Sequence, residues 1–140
     1  MTTKLLPVTV LISGGGTTLK NLLDRKERGE LPVEFRLVIS SNPTAKGLAY
    51  AEQAGIATRV IRRKQFSNGE DHSKAIFDSI RGSGSELVVM GGYLEHLLIP
   101  SDFDRKVINV HPSLIPAFCG KGMYGLHVHE AAIQIGRAHV

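Results

Sequence analysis

Short apolar runs alternate with helical stripes along this chain, and that alternation constrains the fold more than any other feature. Residues 8–12 form a short segment rich in β-branched side chains, as expected for a buried parallel strand. A glycine-rich turn follows, and then leucines within 19–23 are spaced at i, i+3 and i+4, which predicts a helix. Thr17 or Thr18 is placed to cap that helix at its start, and Gly29 is placed to end it.

The same βα pattern recurs through most of the chain. The further predicted strands are 35–39, 58–61, 87–90 and 107–110; one further predicted helix is 45–54, with Gly55 as its C-cap, and another is marked by Ile76, Phe77 and Ile80. Tyr93, Leu94, Leu97 and Leu98 favour a further helical packing face, although their place after a strand also allows a pocket lining. Five strands with helical crossovers predict one α/β domain, with an open, mostly parallel sheet and helices on both faces.

Polar or glycine-rich residues follow three of the predicted strands. In sheets of this kind, ligands bind at the carboxyl ends of the strands, near the point where the strand order reverses. We therefore expect the ligand-binding and catalytic residues at the strand ends that follow Ile12, Met90 and Val110.

The composition of the loop after the first strand favours anion binding. Gly14, Gly15 and Gly16 let backbone N–H groups come close to a ligand, and the following helix N-terminus adds unpaired donors and partial positive charge. Thr17 and Thr18 add hydroxyl donors. The spacing matches neither the dinucleotide fingerprint nor a Walker loop, so a tight turn with ordinary capping threonines remains the alternative.

Asn109 and His111 stand at the end of the fifth predicted strand. Because side chains alternate along a strand, these two should point the same way, and Pro112 keeps His111 extended. An amide can stabilise an oxyanion and an imidazole can transfer a proton near neutral pH, so the pair suits acyl transfer. The alternative is a polar strand end whose histidine only binds a loop carbonyl.

Composition narrows the choice of partners and compartment. The formal charge of +4 is spread along the chain rather than gathered in a stripe, which favours small anions over nucleic acid. A single cysteine, Cys119, and the lack of an apolar signal core or spanning segment predict a cytoplasmic protein without a membrane partner. His127 and His129 match no zinc spacing, so we expect no metal.

Taken together, these segments resemble the glycinamide ribonucleotide formyltransferase family from about residue 8 to about residue 134. The most specific block begins Asn109-Val110-His111-Pro112-Ser113-Leu114-Ile115-Pro116 and continues with Gly125-Leu126-His127-Val128-His129-Glu130-Ala131. Supporting blocks are residues 10–19, Ser40-Ser41-Asn42-Pro43 with Gly47-Leu48, Ala54-Gly55-Ile56 and Gly92-Tyr93-Leu94.

The resemblance implies a Rossmann-like formyltransferase fold and formyl transfer from the co-substrate 10-formyltetrahydrofolate to the amine of glycinamide ribonucleotide, in purine synthesis. By this likeness Asn109 steadies the formyl oxygen and also borders the folate, while His111 donates a proton to the tetrahedral intermediate. The family positions for the substrate phosphate are Gly16, Thr17 and Thr18, and those for the pterin pocket are Leu94, Glu95, His96 and Leu97.

Three departures from the family pattern stand out. The family usually has asparagine at Thr18, and an arginine at Gly69 for which Arg63 or Lys64 could substitute. Family members also run on for several strands and helices, with an aspartate that raises the pKa of the catalytic histidine. We therefore expect residues 1–134 to be an N-terminal catalytic portion without its C-terminal strands, inactive alone, and 135–140 to be a non-native tail.

Other readings of the sequence stay open beside the purine enzyme. Formyltetrahydrofolate deformylase uses a similar domain, but it usually has a second histidine where Pro112 follows His111 here. Other folate-dependent formyltransferases share the Asn-x-His pattern. From a different class, the chain could be a non-catalytic phosphate-binding module. Nothing in the sequence predicts an oligomeric state.

Overall fold

The computed structural model describes residues 4–110, and within them the chain forms a five-stranded sheet with three α-helices. The strands are β1 (Leu6–Ile12), β2 (Val33–Ser40), β3 (Ala57–Val60), β4 (Leu87–Gly91) and β5 (Val107–Val110); the α-helices are α1 (Thr17–Glu27), α2 (Gly47–Gln53) and α3 (Gly69–Ser83). Two 3-10 turns, Arg63–Gln65 and Ser101–Phe103, lie in the connections. No helix in this part of the chain is long and apolar enough to cross a membrane.

The four pairings among these five described strands are all parallel, and their order is β3-β2-β1-β4-β5. The chain thus builds outward from β1 in one direction through β2 and β3, and then returns to the other side of β1 for β4 and β5. The strand order therefore reverses between β1 and β4, which is where open α/β sheets bind their ligands.

Each face of the sheet has its own apolar core. On one face Val8, Val10 and Ile12 pack with Leu19 of α1 and Ala51 of α2. The opposite face collects Leu11 and residues of α3 with the segment that follows β4; its members include Ile39, Ile76, Phe77, Ile80, Val88, Tyr93, Leu97 and Phe103. The predicted α/β fold, with a parallel sheet and helices on both faces, is confirmed.

Most predicted elements are found within one or two residues of their predicted bounds. The helix predicted at 45–54 is shorter at its start, because Asn42 forms a local turn in which its side-chain oxygen accepts hydrogen bonds from the backbone N–H and hydroxyl of Thr44. That turn delays the helix until Gly47.

The prediction of a threonine cap on α1 was wrong. Gly16 is the N-cap, with φ 74° and ψ 24°, and no side chain among the described residues caps the helix. Thr17 and Thr18 are already the first two helical residues. A left-handed cap suits glycine, since it has no Cβ to crowd the backbone.

The predicted helical packing face at Tyr93, Leu94, Leu97 and Leu98 was also wrong, because the segment after β4 contains no helix. Gly92 has φ 72° and Pro100 is extended before the 3-10 turn, so non-helical backbone bounds the segment at both ends. Tyr93 and Leu97 nevertheless share a buried face at spacing i, i+4, which explains why the pattern imitated a helix. As a result, the crossover from β4 to β5 contains a 3-10 turn and no α-helix.

Two glycines let the loop after β1 lie directly against the start of α2. A Cβ on Gly16 would stand 2.4 Å from Cα of Gly47, and a Cβ on Gly47 would stand 2.6 Å from Cδ1 of Ile12. The N–H of Gly47 also donates a hydrogen bond to the carbonyl of Gly14, at 3.3 Å. The glycine loop is thus braced from behind by α2.

We predict that Gly16→Ala lowers the free energy of unfolding by about 2–4 kcal/mol, because the new Cβ adds left-handed strain and a backbone clash. Gly29→Ala shares the positive φ, 77°, but has open space around it, so it should cost only about 1 kcal/mol. Gly15→Ala has neither problem and should be near neutral. Urea unfolding of the three variants checks this order, and equal losses for Gly16→Ala and Gly29→Ala would contradict the close packing.

Candidate functional site

Three of the parts predicted to carry function lie on neighbouring strands at the carboxyl edge of the sheet. The glycine loop follows β1, the segment predicted to line a pterin pocket follows β4, and Asn109 lies in β5. Since β1, β4 and β5 are adjacent and parallel, their ends meet at one edge. His111 lies outside the described residues.

The glycine loop presents backbone rather than side-chain donors. The first hydrogen bond of α1 runs from the N–H of Lys20 to the carbonyl of Gly16, so the N–H groups of residues 17–19 precede the helical ladder. Gly14, Gly15 and Thr17 are exposed. This leaves an accessible helix N-terminus, which is favourable for an anion.

The Thr18 side chain packs in the interior, whereas the sequence suggested that its hydroxyl would donate to an anion. Its side chain is buried, and its Cβ and Cγ2 lie where they would be 3.3 Å from a Cβ on Gly91. Within residues 4–110 its Oγ1 has no hydrogen-bond partner. Thr18 thus packs α1 onto β4, and only its backbone N–H lies in the helix end described above.

The segment after β4 exposes some side chains and buries others. Leu94 is 85% exposed, His96 is exposed and Glu95 is half-buried, whereas Tyr93 and Leu97 belong to the core on the α3 face. An apolar side chain as exposed as Leu94 at a strand exit is suited to contact a flat, partly apolar ligand.

Asn109 is half-buried and lies opposite Met90 in the pairing of β5 with β4. Val107 packs in the core on the α3 face and Val110 packs against the other core, so alternation places Asn109 on the α3 side. The structure therefore brings Asn109 and the segment after β4 to the same side of the sheet.

The structure also locates the two basic residues proposed to replace an arginine at Gly69. Arg63 is half-buried and its guanidinium donates a hydrogen bond to the carbonyl of Phe66, at 3.0 Å. Lys64 is exposed on the same 3-10 turn, and Gly69 is the first residue of α3. Of the two, Lys64 has the more accessible charge.

The sequence analysis did not predict three serines whose hydrogen bonds join segments at this edge of the sheet. The hydroxyl of Ser13 accepts a hydrogen bond from the backbone N–H of Leu94 at 2.9 Å and lies 2.6 Å from the Ser41 hydroxyl. Ser73 of α3 accepts one from the N–H of Leu98, also at 2.9 Å. Ser13 and Ser41 stand in motifs singled out above, but no sequence spacing links either of them to residues 94–98.

A buried histidine supports the segment after β4 from below. His72 of α3 is fully buried, its Nε2 lies 3.5 Å from the Tyr93 hydroxyl, and its ring is tilted against Phe66. Burial lowers the pKa of His72, and the positive charge of Arg63 lowers it further, while Glu95 opposes both. Burial likewise raises the pKa of the Tyr93 hydroxyl. Both side chains are therefore neutral near pH 7.

Within residues 4–110, no group of three histidine, cysteine, aspartate or glutamate side chains is arranged to hold a metal ion. His127 and His129, which were weighed for zinc, lie outside the described residues, as does Cys119. The donors described above are backbone N–H groups, an amide and hydroxyls, which suit an anion and a polar heterocycle.

An open parallel sheet with a glycine loop at the reversal of strand order and an amide at the neighbouring strand end defines an α/β ligand-binding domain of the doubly wound class. The sequence profile of the family described as formyl transferase matches residues 6–140. The chain belongs to this formyl transferase family.

Curated relatives carry a more specific name. The chain is 37% identical over 132 residues to phosphoribosylglycinamide formyltransferase of Haemophilus influenzae, covering 92% of this chain and 59% of the relative. It is 32% identical over 132 residues to the Escherichia coli protein of that name, with the same coverage. The chain thus spans about six tenths of the length of these relatives.

Solved structures agree on the fold. Glycinamide ribonucleotide transformylase 1 of Symbiobacterium toebii superposes with a TM-score of 0.75 at 30% identity, covering 96% of this chain and 62% of that one. Phosphoribosylglycinamide formyltransferase of Coxiella burnetii, solved with CHES, gives 0.73 at 35% identity, covering 94% and 61%. A formyltetrahydrofolate deformylase of Pseudomonas putida gives 0.67 at 23% identity over 76% of this chain, a likeness of fold alone.

The lowered pKa of His72 predicts that stability falls in mild acid. Below the ordinary pKa of 6.5 the unfolded chain takes up a proton that the folded chain excludes, so the free energy of unfolding decreases with falling pH until the folded pKa is reached. The limiting slope is about 1.4 kcal/mol per pH unit.

Urea unfolding at pH 7.5 and 5.5 measures this loss, and His72→Phe should lose less stability than the wild type over the same interval. The exposed His96 supplies the control, since His96→Gln should keep the wild-type loss. Identical pH dependence in wild type and His72→Phe would show that His72 is not the titrating group.

Proposed function

We propose that this protein acts as a phosphoribosylglycinamide formyltransferase, transferring a formyl group from 10-formyltetrahydrofolate to the amine of glycinamide ribonucleotide in purine synthesis. The observation that carries the proposal is the meeting of the glycine loop, the segment after β4 and Asn109 at one sheet edge, in a member of the formyl transferase family. The names of the relatives support the choice of substrate. We also infer the cytoplasm as the compartment, which a chain with one cysteine favours.

The phosphate of the ribonucleotide would bind at the start of α1. Gly16, Thr17 and Thr18 are its proposed ligands, and the burial of the Thr18 side chain favours backbone N–H groups over hydroxyls, apart from the exposed Thr17. The helix end adds a favourable field for a phosphate. Lys64 is the proposed replacement for an arginine at Gly69, since its amine is exposed whereas Arg63 binds a carbonyl.

The folate ring would lie along Leu94, Glu95, His96 and Leu97 with Asn109 beside it. Leu94 offers apolar area, and the backbone of the three following residues offers N–H and carbonyl groups to the polar edge of the ring. Within residues 4–110 these backbone groups are not taken up by other hydrogen bonds. The formyl group would then face Asn109, on the same side of the sheet.

The reaction assigns separate work to the two side chains of the Asn-x-His motif. The substrate amine attacks the formyl carbon, and the Asn109 amide donates a hydrogen bond to the oxygen that becomes negative. His111 supplies the proton to N10 of the folate as the carbon–N10 bond breaks, and the proton lost by the attacking amine restores the balance. The products are formylated ribonucleotide and tetrahydrofolate, with no covalent enzyme intermediate and no metal.

Ligand binding distinguishes this function from a non-catalytic phosphate-binding module. Glycinamide ribonucleotide and an unreactive analogue of 10-formyltetrahydrofolate should each raise the melting temperature of the protein. At one hundred times the dissociation constant, either ligand stabilises the fold by about 2.7 kcal/mol. A response to generic nucleotides with none to the folate analogue would favour the module.

Catalysis is tested by substitution at the strand end. Because the chain spans about six tenths of its relatives, the assay uses the protein expressed from the full gene. There, Asn109→Ala and His111→Ala should each lower the rate of formyl transfer at least a hundredfold, roughly the scale for losing an oxyanion donor or a general acid. Asn21→Ala, on the exposed side of α1, is the matched control and should leave the rate unchanged. Hydrolysis of 10-formyltetrahydrofolate to formate and tetrahydrofolate, without transfer to the amine, would instead favour a deformylase. Near-native rates in both variants would refute the assigned roles.

A further inference from the structure

The segment after β4 is held at its two ends by serine hydroxyls from two different elements. Ser13, at the exit of β1, accepts a hydrogen bond from the N–H of Leu94, and Ser73, in α3, accepts one from the N–H of Leu98; each donor–acceptor distance is 2.9 Å. Both serines are nearly buried, with 7% and 4% of their surface exposed. The two bonded N–H groups are four positions apart, about one helical turn of chain, but the three residues between them form no helix.

Between these two bonds the backbone is anchored at both ends, and its polar groups have no partner in the part of the chain that the structure describes. Within residues 4–110, the N–H and carbonyl groups of Glu95, His96 and Leu97 make no hydrogen bond. Leu97 is buried in the core and prevents the middle of the segment from lifting away. A short loop anchored in this way offers unpaired backbone groups without paying the usual entropy of ordering them on binding.

Ser13 also links this segment to the end of β2, on the other side of β1. Because its oxygen accepts from Leu94, its own proton is free to be donated to the Ser41 hydroxyl, 2.6 Å away. Ser41 follows β2, so one hydroxyl joins the exits of three adjacent strands, β2, β1 and β4. The residue after it, Gly14, begins the glycine loop.

We propose that Ser13 and Ser73 are positioning residues that set residues 95–97 to receive the ring of the folate co-substrate, an inference that rests on the proposed function. Neither hydroxyl needs to touch the ring. Each acts through a backbone N–H at one end of the segment, and the two together fix its height and direction above the sheet edge.

A purely structural role would give different results. A buried N–H that loses its acceptor destabilises any protein, and such a loss alone would weaken all ligands alike or none. A positioning role instead predicts a selective loss. Ser73 is on α3, on the face opposite α1, so its removal should weaken folate binding and spare the ribonucleotide.

The experiment measures the dissociation constants of two ligands for the 140-residue chain by isothermal titration. The ligands are glycinamide ribonucleotide and an unreactive folate analogue with the intact pterin ring. Ser13→Ala and Ser73→Ala should each weaken the analogue about fivefold to tenfold, the loss expected for about one misplaced hydrogen bond. Ser73→Ala should change ribonucleotide affinity by less than about twofold, and Ser73→Thr, which keeps the hydroxyl, should restore analogue affinity.

Ser85 provides the matched control. It is as buried as Ser13, at 6% exposed, and its hydroxyl accepts a hydrogen bond from Thr9 at 2.8 Å, but it precedes β4 at the opposite edge of the sheet. Ser85→Ala should leave both affinities unchanged. Amide hydrogen exchange at Leu94 and Leu98 confirms in each variant that the intended anchor has been released.

The outcomes separate this inference from the function on which it rests. Wild-type protein that binds no folate analogue would overturn both. Wild-type binding with unchanged analogue affinity in the two alanine variants, despite faster exchange at Leu94 and Leu98, would overturn the positioning role alone. Equal losses for both ligands in Ser73→Ala, or a comparable loss in Ser85→Ala, would mark a general loss of stability and would also overturn it.

Discussion

The burial of β1 is the constraint on which the rest of the structure depends. Val10, Leu11 and Ile12 have no exposed surface, since one face of the strand meets α1 and α2 and the other meets α3. Because both faces of β1 are covered and both of its sides are paired, its backbone groups become accessible to a ligand only where the strand ends, at the edge of the sheet. The glycine loop emerges at that point, and Gly16 can then turn α1 back because its φ of 74° costs glycine little.

The sequence predicted those elements whose residues are determined by burial alone. A strand such as β4 is apolar because both of its faces are covered, and the stripe of α3 repeats because one side of the helix packs on the sheet. The prediction was wrong where local chemistry competed with that pattern. At Tyr93 and Leu97 the spacing of a helix arose from two side chains that reach the same core from an irregular segment, and only the neighbouring Gly92 and Pro100 signal the difference.

The candidate site divides along the same line. The positions of Asn109 and of the glycine loop in the fold could be predicted, since strand alternation and loop composition are local properties of the chain. The serine anchors could not, because Ser13 and Leu94 are 81 residues apart and Ser73 and Leu98 are 25 apart. Buried backbone N–H groups need acceptors, but which hydroxyl supplies one is decided only when the sheet has assembled in the order β2-β1-β4.

Because of this dependence, the two segments proposed to bind the ligands are supported by the same part of the sheet. The loop proposed to hold the phosphate and the segment proposed to hold the folate ring leave the sheet on adjacent strands, and the Ser13 hydroxyl joins them at the root of both. Behind them, α1 packs closely against α2 where Gly16 meets Gly47, and against β4 where Thr18 meets Gly91. A reaction between two bound molecules needs their reacting atoms held within a few tenths of an ångström of the productive geometry, and such precision comes from rigid strand ends more readily than from long loops.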